Sequence, residues 1–227
     1  MYRVEHIEPS TTAFIVVDMQ NDFVAPGAPM ELPAGRAMVP TLRQALACCR
    51  EQGIPVIYTA HVHRPDGCDL GRFADANNDR SDELLSQGRA LVDGTPGVAV
   101  FPEITPHNSE IVIKKHRYSA FYGTDLEIIL RGLGVTTVVI AGVSTDNCCH
   151  ATARDALFRD FRVVVLADAT ASGDAPDLGW GAMTADEVHR SSLIILAAST
   201  GDVVTTETFI DRVMAASGVE PLLMAAV

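Results

Sequence analysis

The sequence contains few basic residues. Its 17 Lys and Arg stand against 29 Asp and Glu, so the formal net charge of the 227-residue chain is −12 with neutral histidines. Nucleic acids and anionic membrane surfaces are bound through clustered basic residues, so this balance argues against both kinds of partner. Apolar residues make up 48% of the chain, which excludes disorder as its main state and allows one large core.

The sequence also lacks the segments that direct proteins to membranes or export. No uncharged stretch reaches the roughly 18 apolar residues of a membrane span. The first ten residues carry charges where a signal peptide has an apolar region. The cysteines are odd in number, five, and four of them form the neighbouring pairs Cys48–Cys49 and Cys148–Cys149, which is not a disulfide framework. We therefore expect a protein of the reducing cytoplasm.

Short apolar, β-branched runs alternate with longer amphipathic segments along the chain. Each run is nearly continuously apolar, which is typical of strands covered on both faces in a parallel sheet. The pattern predicts one α/β domain over residues 1–227, doubly wound, with a mainly parallel six-stranded sheet between helices on both faces, a Rossmann-like three-layer sandwich. The six predicted strands are Ala13–Asp18, Ile54–Ala60, Ile111–Lys115, Thr137–Ala141, Arg162–Ala167 and Asp202–Thr205.

Helix signals lie in the segments between these runs. Arg36–Gln52 has apolar residues at helical spacing. Thr124–Glu127 and Thr184–Glu187 have the sequence pattern of capping boxes that start two further helices. Thr208–Ala216 is predicted as the last helix.

One segment does not follow the alternation. Residues 61–108 contain no clear strand and one candidate helix, Ser81–Leu91. A connection of this length in a compact domain is usually functional. No Gly-x-Gly-x-x-Gly motif follows any predicted strand, so we expect no dinucleotide site.

Three of the predicted strands are followed by residues with useful chemistry. Asp18 follows the first strand, Lys115 ends the third and Cys148 follows the fourth. In open parallel sheets, ligands bind beyond the carboxyl ends of the strands. The sequence therefore predicts a carboxylate, an ammonium and a thiol at the same edge of the sheet, a combination that activates a thiol.

A free thiol is mostly protonated at neutral pH, since its pKa is about 8.5. We expect a helix to begin near Cys148, capped by Thr145 or Asp146, so that its N-terminus and the Lys115 ammonium favour the thiolate. Asp18 would accept the thiol proton and return it to a leaving amine. Backbone N–H groups at this turn would bind an oxyanion. The predicted reaction is acyl transfer through a thioester, followed by hydrolysis.

Each of these residues also has a structural explanation. An aspartate at a strand end often caps a loop, and Lys115 alone would be a solvated strand end. A cysteine at a helix start is often a small core residue, and Cys149 competes with Cys148 as nucleophile. A second hypothesis is therefore a non-catalytic protein in which the Cys148–Cys149 pair senses oxidants.

Taken together, VVDMQNDF, KHRYSAFYGTDLEIIL and AGVSTDNCCHATARDA resemble the isochorismatase-like cysteine hydrolases, a family that includes nicotinamidases, N-carbamoylsarcosine amidases, and ureidoacrylate and biuret hydrolases. The resemblance covers nearly the whole chain. It implies that Asp18, Lys115 and Cys148 form the catalytic triad. It also implies a cis peptide bond between Val143 and Ser144, and an oxyanion hole made by the N–H groups of Ser144 and Cys148.

The resemblance narrows the substrate to a small amide or ureide, whose C–N bond would be cleaved through a Cys148 thioester. Phe23, Tyr118 and Phe121 would form apolar walls around a planar amide. Arg117 would bind a carboxylate or second carbonyl, and Asn147 would line the pocket. Isochorismatases proper lack the nucleophilic cysteine, which argues against vinyl-ether hydrolysis. A nicotinamidase-type activity is the alternative.

Nicotinamidases of this family carry a metal-binding Asp-x-His motif after the second strand. Here that region contains His61, His63, Asp66 and Asp69, which are residue types that bind zinc, but at a different spacing. We therefore expect no metal and no other cofactor. Because family members usually form dimers or tetramers, we expect a homo-oligomer, with the apolar residues 221–227 packing on a neighbouring subunit.

Overall fold

The computed structural model describes residues 3–72 and 89–217. All six described strands form one parallel sheet in the order β3-β2-β1-β4-β5-β6, as predicted. The order reverses between β1 and β4, so the edge beyond these two strands is the expected place for a ligand. The strands are β1 Thr12–Val17, β2 Val56–His61, β3 Ile111–Lys115, β4 Thr137–Val143, β5 Arg162–Ala171 and β6 Asp202–Val204.

Helices cover both faces of the sheet. Residues of α3 and α7 belong to the apolar core on one face, and residues of α4, α5 and α6 belong to the core on the other. No helix in the described ranges is long and apolar enough to span a bilayer. The helices are α1 Asn21–Val24, α2 Pro33–Ala37, α3 Val39–Glu51, α4 Leu126–Gly132, α5 His150–Leu157, α6 Ala185–Ser199 and α7 Thr206–Ala216.

Side chains of β1 alternate between the two cores. Phe14 and Val16 face the core of α3 and α7, whereas Ala13, Ile15 and Val17 face the core of α4, α5 and α6. Every residue of β1 is buried. The prediction that a continuously apolar run marks a strand covered on both faces is therefore confirmed for β1.

The edge strand β3 does not fit that prediction. Its first two residues, Ile111 and Val112, are 37% and 46% exposed. The expectation that every apolar run is covered on both faces was therefore wrong for this strand. Because β3 is an edge strand with a neighbour on one side only, its first residues are partly open to solvent.

The predicted helix Arg36–Gln52 is two helices. Met38 ends α2 and precedes α3. Pro40, at the start of α3, has no N–H to donate to the carbonyl of Arg36, so one continuous hydrogen-bond ladder cannot form. The last helix begins at Thr206, earlier than predicted.

Of the two predicted capping boxes, one forms. The Thr184 side chain accepts from the N–H of Glu187, and the Glu187 carboxylate accepts from the N–H of Thr184. Thr124 instead donates its hydroxyl to the Ala120 carbonyl, and α4 begins two residues later, at Leu126. The second box was therefore wrong: the Thr124 hydroxyl accepts from the N–H of Leu126 at 3.2 Å, two residues on, where a capping box needs the N–H of Glu127.

Strand β5 is longer than predicted and contains a bulge. Ile140 of β4 pairs with Val165, but Gly142 pairs with Thr170, so four residues of β5 lie opposite one residue of β4. Such irregularities often stand beside functional sites, where they redirect backbone groups. Of these four residues, Leu166 still pairs with Val204 of β6, and its carbonyl accepts from the Thr170 hydroxyl at 2.9 Å.

Two predictions fall mainly on residues outside the described ranges. The candidate helix Ser81–Leu91 is described only from Arg89 onward, where the chain is not helical. The apolar residues 221–227 lie wholly outside. The single-domain organisation over residues 1–227 stays a prediction.

Candidate active site

The backbones of β1 and β4 meet closely at Gly142. A Cβ atom on this residue would lie 2.1 Å from the carbonyl oxygen of Val17, and its φ is +113°, so only glycine fits. Asp18, which directly follows Val17, has φ of +50°, a value that Asp tolerates better than most residues. This geometry holds the end of β1 against the segment that carries Cys148.

Lys115 contacts the other two predicted catalytic residues, Asp18 and Cys148. It is fully buried at the end of β3. Its Nζ lies 2.7 Å from Asp18 Oδ2, 2.9 Å from the Arg117 carbonyl oxygen and 3.3 Å from Cys148 Sγ. The contacts with the Arg117 carbonyl and with Cys148 are hydrogen bonds, and the contact with Asp18 is an ion pair. Thr59 donates its hydroxyl to the other carboxylate oxygen of Asp18 at 2.6 Å.

Cys148 lies in a widened turn, Thr145–Cys149, between β4 and α5. The N–H of Cys149 donates at 3.0 Å to the carbonyl of Ser144, five residues back, which is the hydrogen bond of a π-helix. This turn runs directly into α5, so Cys148 stands in the first turn of a helical segment, as predicted. The peptide bond between Val143 and Ser144 is cis, as the resemblance implies.

The predicted cap of this segment was wrong. Ser144 occupies the cap position and its side chain makes no capping bond. Thr145 contacts His189 Nδ1 at 2.8 Å, and Asp146 accepts from the Asn147 side chain at 2.7 Å. Both candidate caps are therefore engaged with neighbouring side chains.

Burial dominates the ionisation of the site. It raises the pKa of the Cys148 thiol, an effect that Lys115 opposes and Asp18 reinforces. Burial alone would lower the pKa of Lys115, but the Asp18 carboxylate and the Cys148 sulfur outweigh it and raise that pKa. Lys115 therefore favours the thiolate, as expected, but burial outweighs this effect and the net shift of the Cys148 pKa is upward.

The charges on these residues explain why a proton can still leave the sulfur. The Lys115 ammonium and the Asp18 carboxylate cancel, so loss of the thiol proton to solvent would leave a net negative charge in a buried place. Transfer of the same proton to Asp18 keeps the three side chains neutral in sum. The geometry therefore favours an internal transfer from Cys148 to Asp18.

His61 is the fourth titratable side chain at this site. Its Nδ1 lies 4.0 Å from Cys148 Sγ. Its backbone is held by Gln20, whose Oε1 accepts from the His61 N–H at 2.7 Å and whose Nε2 donates to the His61 carbonyl at 3.0 Å. Burial, and then Lys115, lowers the pKa of His61 well below its ordinary value. Sequence reasoning missed Gln20, which carries no periodic signal.

Tyr118 and Arg117 lie close to the triad. The Tyr118 ring stands edge-on to that of His61, with centroids 6.4 Å apart. Arg117 offers its carbonyl to Lys115, while its guanidinium donates to the carbonyls of His116 and Asp69 at 2.5 and 3.1 Å.

Of the other predicted substrate contacts, one packs in the core, one is partly buried and one is exposed. Phe121 is buried in the core of α4, α5 and α6, stacked on Phe161 with centroids 6.0 Å apart, so it packs in the core where we predicted a pocket wall. Phe23 is partly buried against Leu91. Asn147 is exposed on the outside of the Cys148 turn. Sequence spacing placed these side chains near the site but gave no information on the direction in which they point.

The residues considered from the sequence as candidate zinc ligands, His61, His63, Asp66 and Asp69, do not form one cluster among the described residues. Asp66 is exposed, 3.5 Å from Arg64, and does not belong to either cluster of three suitable ligand atoms found among the described residues. One cluster consists of Asp18, His61 and Cys148. In the other, the Nδ1 atoms of His63 and His116 each lie 3.1 Å from Asp69 Oδ2.

Hydrogen bonding accounts for the second cluster. His116 Nδ1 also lies 2.7 Å from the Val62 carbonyl oxygen, so this nitrogen must carry a hydrogen and cannot be a metal ligand. A histidine N–H facing a carboxylate and a carbonyl is satisfied without an ion. The cluster of His63, Asp69 and His116 therefore does not fit a zinc ion bound through His116 Nδ1.

Comparison with known proteins gives a consistent result. The sequence model of the isochorismatase domain matches residues 12–208. The chain is 34% identical over 188 residues to ureidoacrylate amidohydrolase RutB of Methylorubrum extorquens, covering 78% of this chain and 76% of that protein.

Two solved structures extend the likeness to the fold. A cysteine hydrolase from Pseudomonas syringae pv. phaseolicola superposes with a TM-score of 0.89 at 35% identity, covering 95% of this chain and 98% of the other. N-carbamoylsarcosine amidase from Thermoplasma acidophilum superposes with a TM-score of 0.67 at 30% identity, covering 87% of this chain and 97% of the other.

Proposed function

Because this chain belongs to the isochorismatase family, we propose that it is a thiol amidohydrolase that cleaves the C–N bond of a small amide or ureide. The observation that carries this proposal is the set of three contacts made by Lys115 Nζ, which join Asp18 and Cys148 in a buried place. The two named relatives, an amidohydrolase of ureidoacrylate and an amidase of N-carbamoylsarcosine, support a carbamoyl or ureido substrate.

In the proposed first half-reaction, Asp18 accepts the proton of Cys148 as the sulfur attacks the carbonyl carbon of the substrate. The carbonyl π electrons move to oxygen and form a tetrahedral oxyanion. Asp18 then gives the proton to the leaving nitrogen, the C–N bond breaks, and the amine or ammonia departs. The acyl group remains on sulfur as a thioester.

In the second half-reaction, water attacks the thioester carbon and Asp18 takes its proton. Collapse of the second oxyanion breaks the C–S bond, and the sulfur regains its proton from Asp18. The products are the acid or carbamate and a restored thiol. Throughout, the Lys115 ammonium balances one negative charge, which lies on Asp18 in the resting and thioester states and on the oxyanion in the tetrahedral states, so the net charge of the buried site stays zero.

We propose that the N–H groups of Ser144 and Cys148 bind the oxyanion, since both stand at the start of the helical segment that runs into α5. Tyr118 and Arg117 are the proposed substrate contacts nearest the triad. Phe23 and Asn147 stay predictions as further contacts.

The proposed mechanism needs no metal, because the triad itself supplies nucleophile, base and counter-charge. Dialysis against EDTA should leave kcat unchanged. A loss of activity that zinc restores would contradict this part of the proposal. We also propose that the protein is a homo-oligomer. A location in the reducing cytoplasm is a separate proposal, which the five free cysteines, one of them exposed, support.

Redox sensing by Cys148 and Cys149 has less support. A resolving thiol must ionise, and burial raises the pKa of Cys149 well above its ordinary value. Cys149 packs in the core of α4, α5 and α6.

Ammonia release across a panel of compounds tests the proposed function. The panel contains ureidoacrylate, N-carbamoylsarcosine, biuret, nicotinamide and simple aliphatic amides, with the Cys148→Ala protein as the blank. We expect release from at least one ureide by the parent protein and none by the variant. No release from any compound by folded protein would overturn the proposal, and release from nicotinamide alone would favour the alternative activity.

A further inference from the structure

A histidine outside the triad is tied to the turn that carries the nucleophile. His189 lies on α6, and its two ring nitrogens face different elements. Nδ1 is 2.8 Å from the Thr145 hydroxyl oxygen, and Nε2 is 3.0 Å from the carbonyl oxygen of Ala167. Thr145 begins the widened turn and is fully buried.

The partners determine the proton positions on this ring. A carbonyl oxygen can only accept, so Nε2 carries the hydrogen and donates it to Ala167. In the neutral ring Nδ1 is then an acceptor, and the Thr145 hydroxyl donates to it. Burial lowers the pKa of His189, which keeps the ring neutral. His189 therefore has one tautomer, with the hydrogen on Nε2, and its two hydrogen bonds connect Thr145 to Ala167.

The strand bulge explains why the Ala167 carbonyl is available. Ala167 is one of the four β5 residues opposite a single residue of β4, so its carbonyl is outside the regular ladder. The bulge, the α6 histidine and the Cys148 turn thus form one connected set. The same set explains why Thr145 does not cap the helical segment, since its hydroxyl points to His189.

We propose that His189 is a positioning residue, which fixes the turn Thr145–Cys149 through Thr145 and so sets the distance between Cys148 Sγ and Lys115 Nζ. This inference rests on the proposed function for its meaning in catalysis. His189 makes no described contact with the triad, so its action passes through the turn. A displacement of about 1 Å in such a site can cost roughly 100-fold in rate.

Substitutions at Thr145 separate positioning from general stability. Thr145→Val keeps the shape and removes the donor, whereas Thr145→Ser keeps the donor. We expect Thr145→Val to lower kcat by about 10- to 100-fold with little change in KM, and Thr145→Ser to stay within about threefold of the parent. The assays are run well below the Tm of each variant, with folding checked by circular dichroism.

A second readout does not depend on a substrate. Alkylation of Cys148 by iodoacetamide, followed by mass spectrometry in a Cys68→Ser background, reports the position and ionisation of the sulfur. We expect slower alkylation in Thr145→Val and normal alkylation in Thr145→Ser. If the parent protein releases no ammonia, the proposed function fails while this measurement still decides the role of His189.

The histidine itself completes the test. His189→Leu removes the bond to Thr145 together with the bond to Ala167, so it should lose at least as much activity as Thr145→Val, and the double variant should be no slower than His189→Leu. Losses that multiply in the double variant would overturn the proposal. Equal losses in Thr145→Ser and Thr145→Val, or alkylation at the parent rate in Thr145→Val, would also overturn it.

Discussion

Two pairs of neighbouring cysteines in this chain have the same sequence pattern but different surroundings. Cys48 and Cys49 lie in α3, and Cys148 and Cys149 lie in the turn Thr145–Cys149 that follows β4. All four thiols are free and buried. Burial raises the pKa of Cys48 to about 11, and Glu51 adds to this effect. Burial also raises the pKa of Cys148, but there an ammonium opposes it.

The comparison shows that burial alone does not make a thiol inert or reactive. What distinguishes Cys148 is a buried ammonium at 3.3 Å and a carboxylate that can take its proton. Cys48 has the acidic Glu51 as its charged neighbour and no counter-charge of the opposite sign among the causes of its shift. The helix α3 therefore carries a thiol that packs, and the edge of the sheet carries one that can react.

The largest expected difference between the pairs is in turnover. Cys148→Ser should lower kcat by roughly 1,000-fold or more, because the alcohol is a far weaker nucleophile in a site built for sulfur. Cys48→Ser, the matched control in α3, should stay within about threefold of the parent. Ammonia release with the best substrate of the panel measures both. Retained activity in Cys148→Ser would remove this residue from the mechanism.

The next difference concerns two adjacent lysines. Lys115→Met should lower kcat by about 100-fold or more, and should move the pH profile of Cys148 alkylation to higher pH, because the charge that lowers the thiol pKa is lost. Lys114 is exposed and paired with Asp93 at 2.7 Å. Lys114→Met should change kcat by less than about twofold.

An unchanged alkylation profile in Lys115→Met would show that the ammonium does not act on the sulfur. A fall in Tm with normal kcat would show that Lys115 is structural only.

A smaller effect is expected in labelling rates. Iodoacetamide should modify Cys148 faster than Cys48 or Cys49, although all three are buried, since the Lys115 ammonium at 3.3 Å stabilises the Cys148 thiolate. Asp18→Asn should move the pH profile of Cys148 modification to lower pH, because the carboxylate charge that raises the thiol pKa is lost, and should leave the α3 thiols unaffected. Peptide mapping by mass spectrometry gives the rates. Equal labelling of the two pairs in the folded parent would contradict the distinction drawn above.

The smallest effect is on stability at alkaline pH. The folded-state pKa of Cys48 is raised, so the free energy of unfolding contains a contribution that is fully present below the unfolded thiol pKa of about 8.5. That contribution is lost as the pH rises toward about 11. The Tm of the reduced protein should therefore fall over this range, and less steeply in Cys48→Ala. Identical slopes would show that Cys48 does not contribute.

The sheet and the triad were predictable because they depend on regular rules. Apolar runs marked the strands, and parallel strands carry their carboxyl ends to one edge, so Asp18, Lys115 and Cys148 were expected to meet. The capping of the Cys148 turn was not predictable, since Thr145 bonds to His189, which lies 44 residues away. The bulge in β5 left no mark on the apolar pattern.

Side-chain direction was the other limit. Phe121 follows the Lys115 strand closely in sequence, yet it stacks on Phe161 in the core. Pro40 could have indicated a break between two helices, but the helical spacing of apolar residues continues on both sides of it. In both cases tertiary packing or a single missing N–H decided the outcome against the local pattern.

The burial of Asp18 and Lys115, both fully inaccessible to solvent, has a consequence for how the fold tolerates change. Replacing a buried ion pair by well-packed apolar side chains of similar volume is often neutral or stabilising by about 1–4 kcal/mol. Because position 18 has φ of +50°, which Asn tolerates, an Asn and Met pair at these positions would remove both charges and give an inactive protein about as stable as the parent. Selection for reactivity, rather than for thermal stability, maintains these two charges in the interior.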